Sequence, residues 1–283
     1  MTCKTRIESY EDLTEDIVRW LKDYYWMHSG NIKAFVVGVS GGIDSAVVST
    51  LCARTGLPTY VVCMPLDSTH ANSRLSEDHA KKLADQYENV TNLMFELSTT
   101  YDHFHKVLEW WTESRHMDTA KRKEFTGDDL ANANTKARIR MLCLYQIAGA
   151  KKGIVVGTGN KVEDYGVGFF TKYGDGAVDI APIADLYKTE VWELGEYLEV
   201  DERICEAAPT DGLWSDKRTD EEQLGATYAE LEEAMEHGTG PAVNILKEYQ
   251  QQGLYHVPLL LLVQHRLHQV DLHQSSYLSI NHQ

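Results

Sequence analysis

The feature that most restricts the fold is a short glycine-rich segment between two apolar runs. Lys33–Val39 is a mostly apolar run that suits a strand covered on both faces, and Asp44–Arg54 follows as a helical segment. The residues between them, 38–45, read Gly-Val-Ser-Gly-Gly-Ile-Asp-Ser. Glycines let the backbone turn tightly and bring its N–H groups against an anion, and a helix N-terminus adds about half a positive charge. The segment therefore predicts a strand–loop–helix unit that holds a phosphate group.

The rest of the chain alternates in the same way between short apolar runs and amphipathic runs. This alternation predicts an α/β fold, a doubly wound parallel sheet with flanking helices, in one domain over residues 1–283. The polar segments 114–130 and 159–180 are predicted to be loops. The predicted strands are residues 33–39, 58–64, 90–97 and 153–157, and the predicted helices are residues 11–28, 44–54, 73–87, 99–113, 128–150 and 187–198.

Charge and cysteine usage exclude several classes of protein. The net charge is 27 − 43 = −16, which repels polyanions, so no nucleic-acid partner is expected. The five cysteines include no CxxC pair, which argues against a disulfide framework or a zinc site. Free thiols suit a reducing cytoplasm, and the N-terminus lacks the apolar run of a signal peptide. The late apolar stretch Val257–Val263 is too short to span a bilayer, so no membrane partner is expected.

The glycine-rich segment is neither a GxxxxGK[ST] loop nor a GxGxxG motif. Ser40 and Ser45 can add hydroxyl donors, whereas the carboxylate of Asp44 repels a phosphate directly. Asp44 makes sense if Mg²⁺ lies between the carboxylate and phosphate oxygens. The alternative is a plain turn in which serine and aspartate cap the helix.

Two further strings carry candidate ligands. In 132–141, Asn134 and Arg138 are four residues apart and share a helix face, where they could face a substrate or simply solvent. In 155–164, Thr158 follows a strand end and is placed to bond a nucleotide. Glu163 or Asp164 could supply a second carboxylate to the metal, and ordinary loop-turn chemistry is the alternative for this string.

A third string, 168–188, combines Phe-Phe with Lys172 and continues to Lys188. It suits an apolar wall that carries a few oriented polar groups. The two lysines are the local cations that an acidic chain needs near phosphates. An ordinary solvated loop is the alternative.

The segment 38–45 resembles the pyrophosphatase loop of the ATP-pyrophosphatase (PP-loop) superfamily. Together with Phe-Thr-Lys-Tyr-Gly-Asp-Gly at 170–176, it resembles the NAD synthetase family over about residues 33–235. The resemblance implies an adenine nucleotide α-hydrolase-like fold and a ligase that forms C–N bonds. Such an enzyme converts deamido-NAD (nicotinate adenine dinucleotide) to NAD through an acyl-adenylate, with ATP, Mg²⁺ and ammonia. The resemblance also implies a homodimer.

The same resemblance implies roles for individual residues. Asp44, Lys172 and Lys188 would be catalytic, and Asp44 and Glu163 would hold the metal, with Asp164 as the competitor for the second place. Asp179 is the only candidate general base, and it rests on no motif. The ATP ligands would be Gly38, Val39, Ser40, Gly41, Gly42, Ile43, Asp44, Ser45, Thr158, Lys188 and Thr210, and the deamido-NAD ligands would be Arg138, Lys172, Asp179, His265 and Arg266.

The C-terminal residues 256–283 depart from the family pattern, and Gln264-His265-Arg266 matches it only weakly. The resemblance uses most of the chain, so no glutaminase domain is expected and ammonia is the expected nitrogen donor. Two other functions stay open. One is a different PP-loop enzyme, for tRNA thiolation or another amidation, and the other is a nucleotide-binding protein without catalysis.

Overall fold

The computed structural model describes residues 6–66, 71–210 and 219–253. In these residues a parallel sheet has four strands in the order β3-β2-β1-β4. The central strand β1 pairs with β2 on one side and β4 on the other. The predicted α/β fold with a parallel sheet is therefore confirmed. The strands are β1 (Ala34–Val39), β2 (Thr59–Cys63), β3 (Val90–Met94) and β4 (Gly153–Val156).

Helices cover both faces of the sheet, which is why the strands are apolar throughout. Phe35 and Val37 of β1 pack with α1, α2 and α7, whereas Val36 and Val155 pack with α6 on the opposite face. The helices are α1 (Tyr10–Met27), α2 (Ile43–Arg54), α3 (Ala71–Gln86), α4 (Ser98–Ser114), α5 (Thr119–Thr126), α6 (Asp129–Lys151), a π-helix (Lys161–Val167), α7 (Lys188–Tyr197), α8 (Glu202–Cys205), α9 (Asp220–Leu224), α10 (Tyr228–His237) and α11 (Val243–Gly253).

The two predicted loops were partly wrong. The segment 114–130 contains α5, whose N-cap Asp118 accepts a bond from the backbone of Lys121 and whose C-cap is Gly127. The segment 159–180 contains the π-helix. The third strand also ends earlier than predicted, at Met94, because its neighbour β2 ends at the paired residue Cys63.

The site-bearing edge of the sheet lies where β1 and β4 end. From β1 the chain continues to β2 on one side of it in the sheet, whereas β4 lies next to β1 on the other side. β1 and β4 therefore flank the point where the strand order reverses. Parallel sheets bind ligands in the crevice at such a point. Within the described residues, every helix is too short or too polar to cross a membrane.

Candidate active site

The loop between β1 and α2 is closed by its own serines. The backbone N–H of Gly42 donates to Ser40 Oγ at 3.2 Å, and Ser45 Oγ donates to the carbonyl of Gly42 at 2.9 Å. Gly41 has a φ of +90°, a backbone conformation that favours glycine. The loop is thus preformed at the N-terminus of α2, where an anion is stabilised by the helix dipole.

A buried ammonium group lies between two carboxylates beside this loop. Lys188 Nζ is 2.5 Å from Asp44 Oδ2 and 2.9 Å from Glu163 Oε1. The three residues come from α7, α2 and the π-helix. The lysine side chain is 3% exposed and the two carboxylate side chains are 16% and 15% exposed. Three elements that are distant in sequence therefore converge on one charged centre.

The charged groups in this centre change one another's pKa values. Burial acts to lower the pKa of Lys188, but Asp44 and Glu163 outweigh it and raise the pKa, so the amine stays charged. Burial acts to raise the pKa of Glu163, but Lys188 and a tyrosine hydroxyl outweigh it and lower the pKa. Burial, with the charge of Glu163, raises the pKa of Asp44 in spite of Lys188. Two carboxyl groups therefore share one ammonium group, which stabilises the charged form of each.

Two residues without a predicted role orient the carboxylates. Asn160 Nδ2 donates to Asp44 Oδ1 at 3.0 Å, and Asn160 Oδ1 caps the π-helix by accepting from the N–H groups of Val162 and Glu163. The Tyr228 hydroxyl donates to Glu163 Oε1 at 2.7 Å. Asn160 could have been found as an N-cap residue before an acidic pair. Tyr228 lies 65 residues from its partner and has no such local signal.

Asp164 also lies at the cavity, next to the glutamate that shares its turn. Its pKa is raised well above the ordinary value, by burial first and then by the charges of Glu163, Asp175 and Asp44. A side chain at Gly159 would overlap the Asp164 carboxyl group, so glycine is needed there. Glu163 contacts Lys188 together with Asp44, whereas burial disfavours the charged form of Asp164, so the geometry favours Glu163 as the second carboxylate.

One cavity of about 550 Å³ connects these groups. This volume is in the range that holds a single ligand of drug size. Apolar walls come from Met64, Leu66, Leu144 and Phe170. The cavity brings together every residue predicted to bind ATP: Gly38, Val39, Ser40, Gly41, Gly42, Ile43, Asp44, Ser45, Thr158, Lys188 and Thr210.

Three of the residues predicted to bind deamido-NAD, Arg138, Lys172 and Asp179, lie outside the lining of this cavity. Arg138 is exposed on α6, and its Nε donates to the carbonyl of the exposed Lys172 at 3.0 Å. Asp179 accepts from the N–H of Val155 at 2.7 Å and from the Tyr145 hydroxyl at 3.2 Å. Both Asp179 oxygens are therefore engaged, which weakens it as a general base.

Other predicted ligands have different places. Asn134 does line the cavity, and it accepts a bond from the Thr171 hydroxyl at 2.7 Å. This bond ties α6 to the loop that carries Lys172. His265 and Arg266 lie outside the described residues.

Comparisons with known proteins agree with this geometry. A family model described as NAD synthase matches residues 13–264. The NH(3)-dependent NAD(+) synthetase of Carboxydothermus hydrogenoformans is 34% identical over 251 residues, which are 87% of this chain and 94% of the relative.

Two solved structures resemble the fold over nearly its whole length. An NMN synthetase from Francisella tularensis has a TM-score of 0.75 and 31% identity, with 91% of this chain and 100% of that chain covered. An NH3-dependent NAD synthetase from Campylobacter jejuni, in complex with the nitrate ion, has a TM-score of 0.63 and 26% identity, with 90% and 99% covered.

Proposed function

Because this chain belongs to the NAD synthase family, we propose that it is an ammonia-dependent C–N ligase that converts deamido-NAD to NAD with ATP. The observation that carries the proposal is the convergence on one cavity of the preformed loop 38–45, the Asp44–Lys188–Glu163 centre and Thr158. An anion site, a cationic side chain and paired carboxylates are together what transfer of an adenylyl group from ATP requires.

The chain would hold ATP by its phosphates at the loop. The N-terminus of α2, which begins where this loop ends, would stabilise the pyrophosphate through the helix dipole. Lys188 Nζ lines the same cavity and can share its charge with a phosphate oxygen. The apolar wall near Met64 and Leu66 suits the adenine ring.

The residues present fit a Mg²⁺ ion. Asp44 and Glu163 already converge on one cationic atom, Lys188 Nζ, so their oxygens are placed to share a second cation. Among the described residues, no group of three or more His, Cys, Asp or Glu could hold a metal alone. Mg²⁺ commonly takes one or two carboxylates and completes its shell with substrate phosphates and water. When bound, the ion would neutralise charge that develops on the leaving pyrophosphate.

The reaction then follows two displacements. A carboxylate oxygen of deamido-NAD attacks the α-phosphorus of ATP, and the bond to the pyrophosphate oxygen breaks. Ammonia attacks the carbon of the resulting acyl-adenylate, loses a proton, and AMP leaves with the electrons of the C–O bond. The chain contributes by orienting the phosphates at loop 38–45 and by keeping the Lys188 ammonium in the cavity.

We further propose that the chain works as a homodimer through the outer face of α6. Arg138, Leu142 and Tyr145 lie along this face, and Leu142 is 70% exposed. The exposed Tyr173 lies on the neighbouring loop, one residue from Lys172. The predicted dinucleotide ligands Arg138 and Lys172 are thus on the surface, and a second copy would enclose the half of the substrate that the cavity does not hold.

A second candidate function follows from one observation. The likeness to the NMN synthetase has the higher TM-score of the two solved structures described above, 0.75 against 0.63. The same chemistry would then amidate nicotinate mononucleotide, which has the same carboxylate but no second nucleotide half. A cavity of about 550 Å³ with exposed Arg138 and Lys172 suits the smaller substrate without a partner subunit.

One experiment separates these functions. The protein is incubated with ATP, Mg²⁺ and ammonium chloride, plus either deamido-NAD or nicotinate mononucleotide, and NAD, NMN, AMP and pyrophosphate are quantified by chromatography. We expect AMP and amide in equal amounts, and the ratio of kcat/KM for the two acids decides the substrate. If no AMP forms with either acid, the proposed amidation is wrong. The protein would then be a nucleotide-binding protein without catalysis or an enzyme of another PP-loop reaction.

We also propose that the protein works in the cytoplasm. Cys52, Cys63, Cys143 and Cys205 are free thiols, which suits a reducing compartment. Burial raises the pKa of Cys63 to about 11, so that thiol stays protonated and unreactive.

A further inference from the structure

Helix α10 packs on α7, α11 and the π-helix, where one of its side chains contacts the charged centre and a second contacts the turn that carries Lys188. Tyr228 is its first residue and Glu232 lies four residues later, so both are on one face of the helix. Tyr228 donates its hydroxyl to Glu163. Glu232 accepts from the backbone N–H and the hydroxyl of Thr189, at 3.0 and 2.7 Å, in the first turn of α7. One helix face thus fixes both the turn that carries Lys188 and the carboxylate that the lysine contacts.

Tyr228 is itself held on several sides. Tyr228 is only 1% exposed and is the first residue of α10. The capping box of Thr227 and Glu230 fixes this first turn of the helix. The Tyr228 N–H donates to Glu221 Oε1 at 2.9 Å. Trp192 packs edge-on against its ring, with centroids 5.8 Å apart. The hydroxyl is therefore a fixed donor, which is what orienting the Glu163 carboxylate requires.

The ring of Tyr228 also contacts the ammonium group. Lys188 Nζ lies 5.1 Å from the ring centroid, within the range of a cation–π interaction. A single side chain therefore touches both members of the Lys188–Glu163 ion pair, the carboxylate by its hydroxyl and the ammonium by its face.

We propose that Tyr228 is a positioning residue that keeps the Glu163 carboxylate directed at the cation site when ATP phosphates compete for Lys188. The proposal rests on the proposed function, since it assumes that Glu163 receives a divalent cation. Without the hydroxyl, the Glu163 carboxylate loses a hydrogen bond that does not depend on Lys188, so it would follow the lysine more closely when the ammonium shifts toward phosphate. Partners that hydrogen-bond to metal ligands in this way commonly change metal affinity or activity by about 10–100-fold.

The test compares two tyrosine-to-phenylalanine variants. Tyr228→Phe removes the hydroxyl and keeps the ring over Lys188. Tyr10→Phe is the matched control, because the Tyr10 hydroxyl also donates to a glutamate, Glu193, at 2.7 Å, but at the α1–α7 contact. Free Mn²⁺ is titrated by electron paramagnetic resonance in the presence of a non-hydrolysable ATP analogue. We expect the Mn²⁺ dissociation constant to rise about tenfold in Tyr228→Phe and to stay unchanged in Tyr10→Phe.

A second measurement uses the reaction. The Mg²⁺ concentration that gives half-maximal pyrophosphate release should rise by the same factor in Tyr228→Phe. A lower melting temperature with unchanged Mn²⁺ affinity would make Tyr228 a packing residue and overturn the proposal, and so would an equal loss in Tyr10→Phe. If wild-type protein releases no pyrophosphate with any nicotinate nucleotide, the proposed function fails, and the Mn²⁺ titration still decides the role of Tyr228.

A milder variant guards against loss of folding. Glu221→Ala removes the acceptor of the Tyr228 N–H and lies at a partly exposed position. We expect a smaller rise in the Mn²⁺ dissociation constant than in Tyr228→Phe, because the hydroxyl that contacts Glu163 is kept. An unchanged constant in a folded Glu221→Ala protein, as in a folded Tyr228→Phe protein, would contradict the proposal.

Discussion

Replacement of Lys188 by methionine tests the charged centre most directly. The substitution keeps an unbranched side chain of similar length in a position that is 2% exposed, but it removes the ammonium group. Asp44 and Glu163 then face each other without the cation that bridges them at 2.5 and 2.9 Å. The fold should be retained at a measurable cost in stability.

The size of the cost follows from the two contacts. A hydrogen bond to a charged group contributes about 1.5–3 kcal/mol net, so two of them give roughly 3–6 kcal/mol. The variant recovers part of this by binding a proton between the carboxylates. Breaking a buried ion pair by removing one partner costs about 3–5 kcal/mol in other proteins. We therefore expect the free energy of unfolding of Lys188→Met to fall by about 3–5 kcal/mol at pH 8 without divalent cations.

The pH dependence that Glu163 contributes has opposite signs in the two proteins. In the wild type the pKa of Glu163 is lowered, so its contribution is present above its unfolded pKa of about 4.3 and is lost as the pH falls through the lower folded value. In Lys188→Met, burial and mutual repulsion raise the pKa values of the carboxylates. The folded variant then binds more protons than the unfolded chain, so its stability increases as the pH falls from 8 toward 5.

Urea unfolding at pH 8.0, 6.5 and 5.5, with EDTA present, measures both effects. Lys81→Met is the control, because Lys81 pairs with Asp85 on the surface of α3 at 71% and 66% side-chain exposure. Such exposed pairs contribute about 0–1 kcal/mol. If Lys188→Met is destabilised no more than Lys81→Met, or if its loss does not change with pH, the ammonium is not the counter-ion of the carboxylates.

Three further variants probe neighbouring groups. Asp44→Ala should abolish pyrophosphate release while circular dichroism stays that of the wild type, and near-normal turnover would contradict the adenylation scheme. Gly41→Ala forces a β-carbon at φ +90° and should destabilise the protein by about 1 kcal/mol or more, with a raised KM for ATP; an unchanged KM would mean that the loop does not contact the phosphates. Asp164→Asn should be at least as stable as the wild type at pH 8. The raised pKa of Asp164 makes its contribution to wild-type stability fall as the pH rises from about 3.9 through the raised value. A lower free energy of unfolding in Asp164→Asn at pH 8 would refute this direction of the pKa shift.

The sheet was predictable from sequence because buried parallel strands leave a strong apolar signal. Residues 33–39 predicted β1 to within one residue, and the glycines after it located the loop. Helix α5 was missed because its eight residues, Thr-Ala-Lys-Arg-Lys-Glu-Phe-Thr, include none that is buried, so no apolar period marks it. Its caps, Asp118 and Gly127, were the only signal.

The candidate site was predictable only in part, for a different reason. Motifs placed Asp44, Glu163 and Lys188 near a nucleotide, because each follows a strand end or a glycine-rich string. They assigned the carboxylates to a metal and the lysine to ATP. The direct ion pair joins residues 144 and 25 positions apart, and such a contact depends on how α7 packs against the sheet. Local patterns do not carry that information.

The lysine bridge also bears on how the protein behaves when magnesium is scarce. Proteins that rely on a diffusible ion to hold acidic residues together unfold when a chelator removes it. Here the polypeptide brings its own positive charge to Asp44 and Glu163, so a nascent chain can complete this layer before it meets any ion. Purification in chelating buffers should therefore yield folded protein, and, if Asp44 and Glu163 hold Mg²⁺ as proposed, a fall in magnesium should slow the reaction without unfolding the protein.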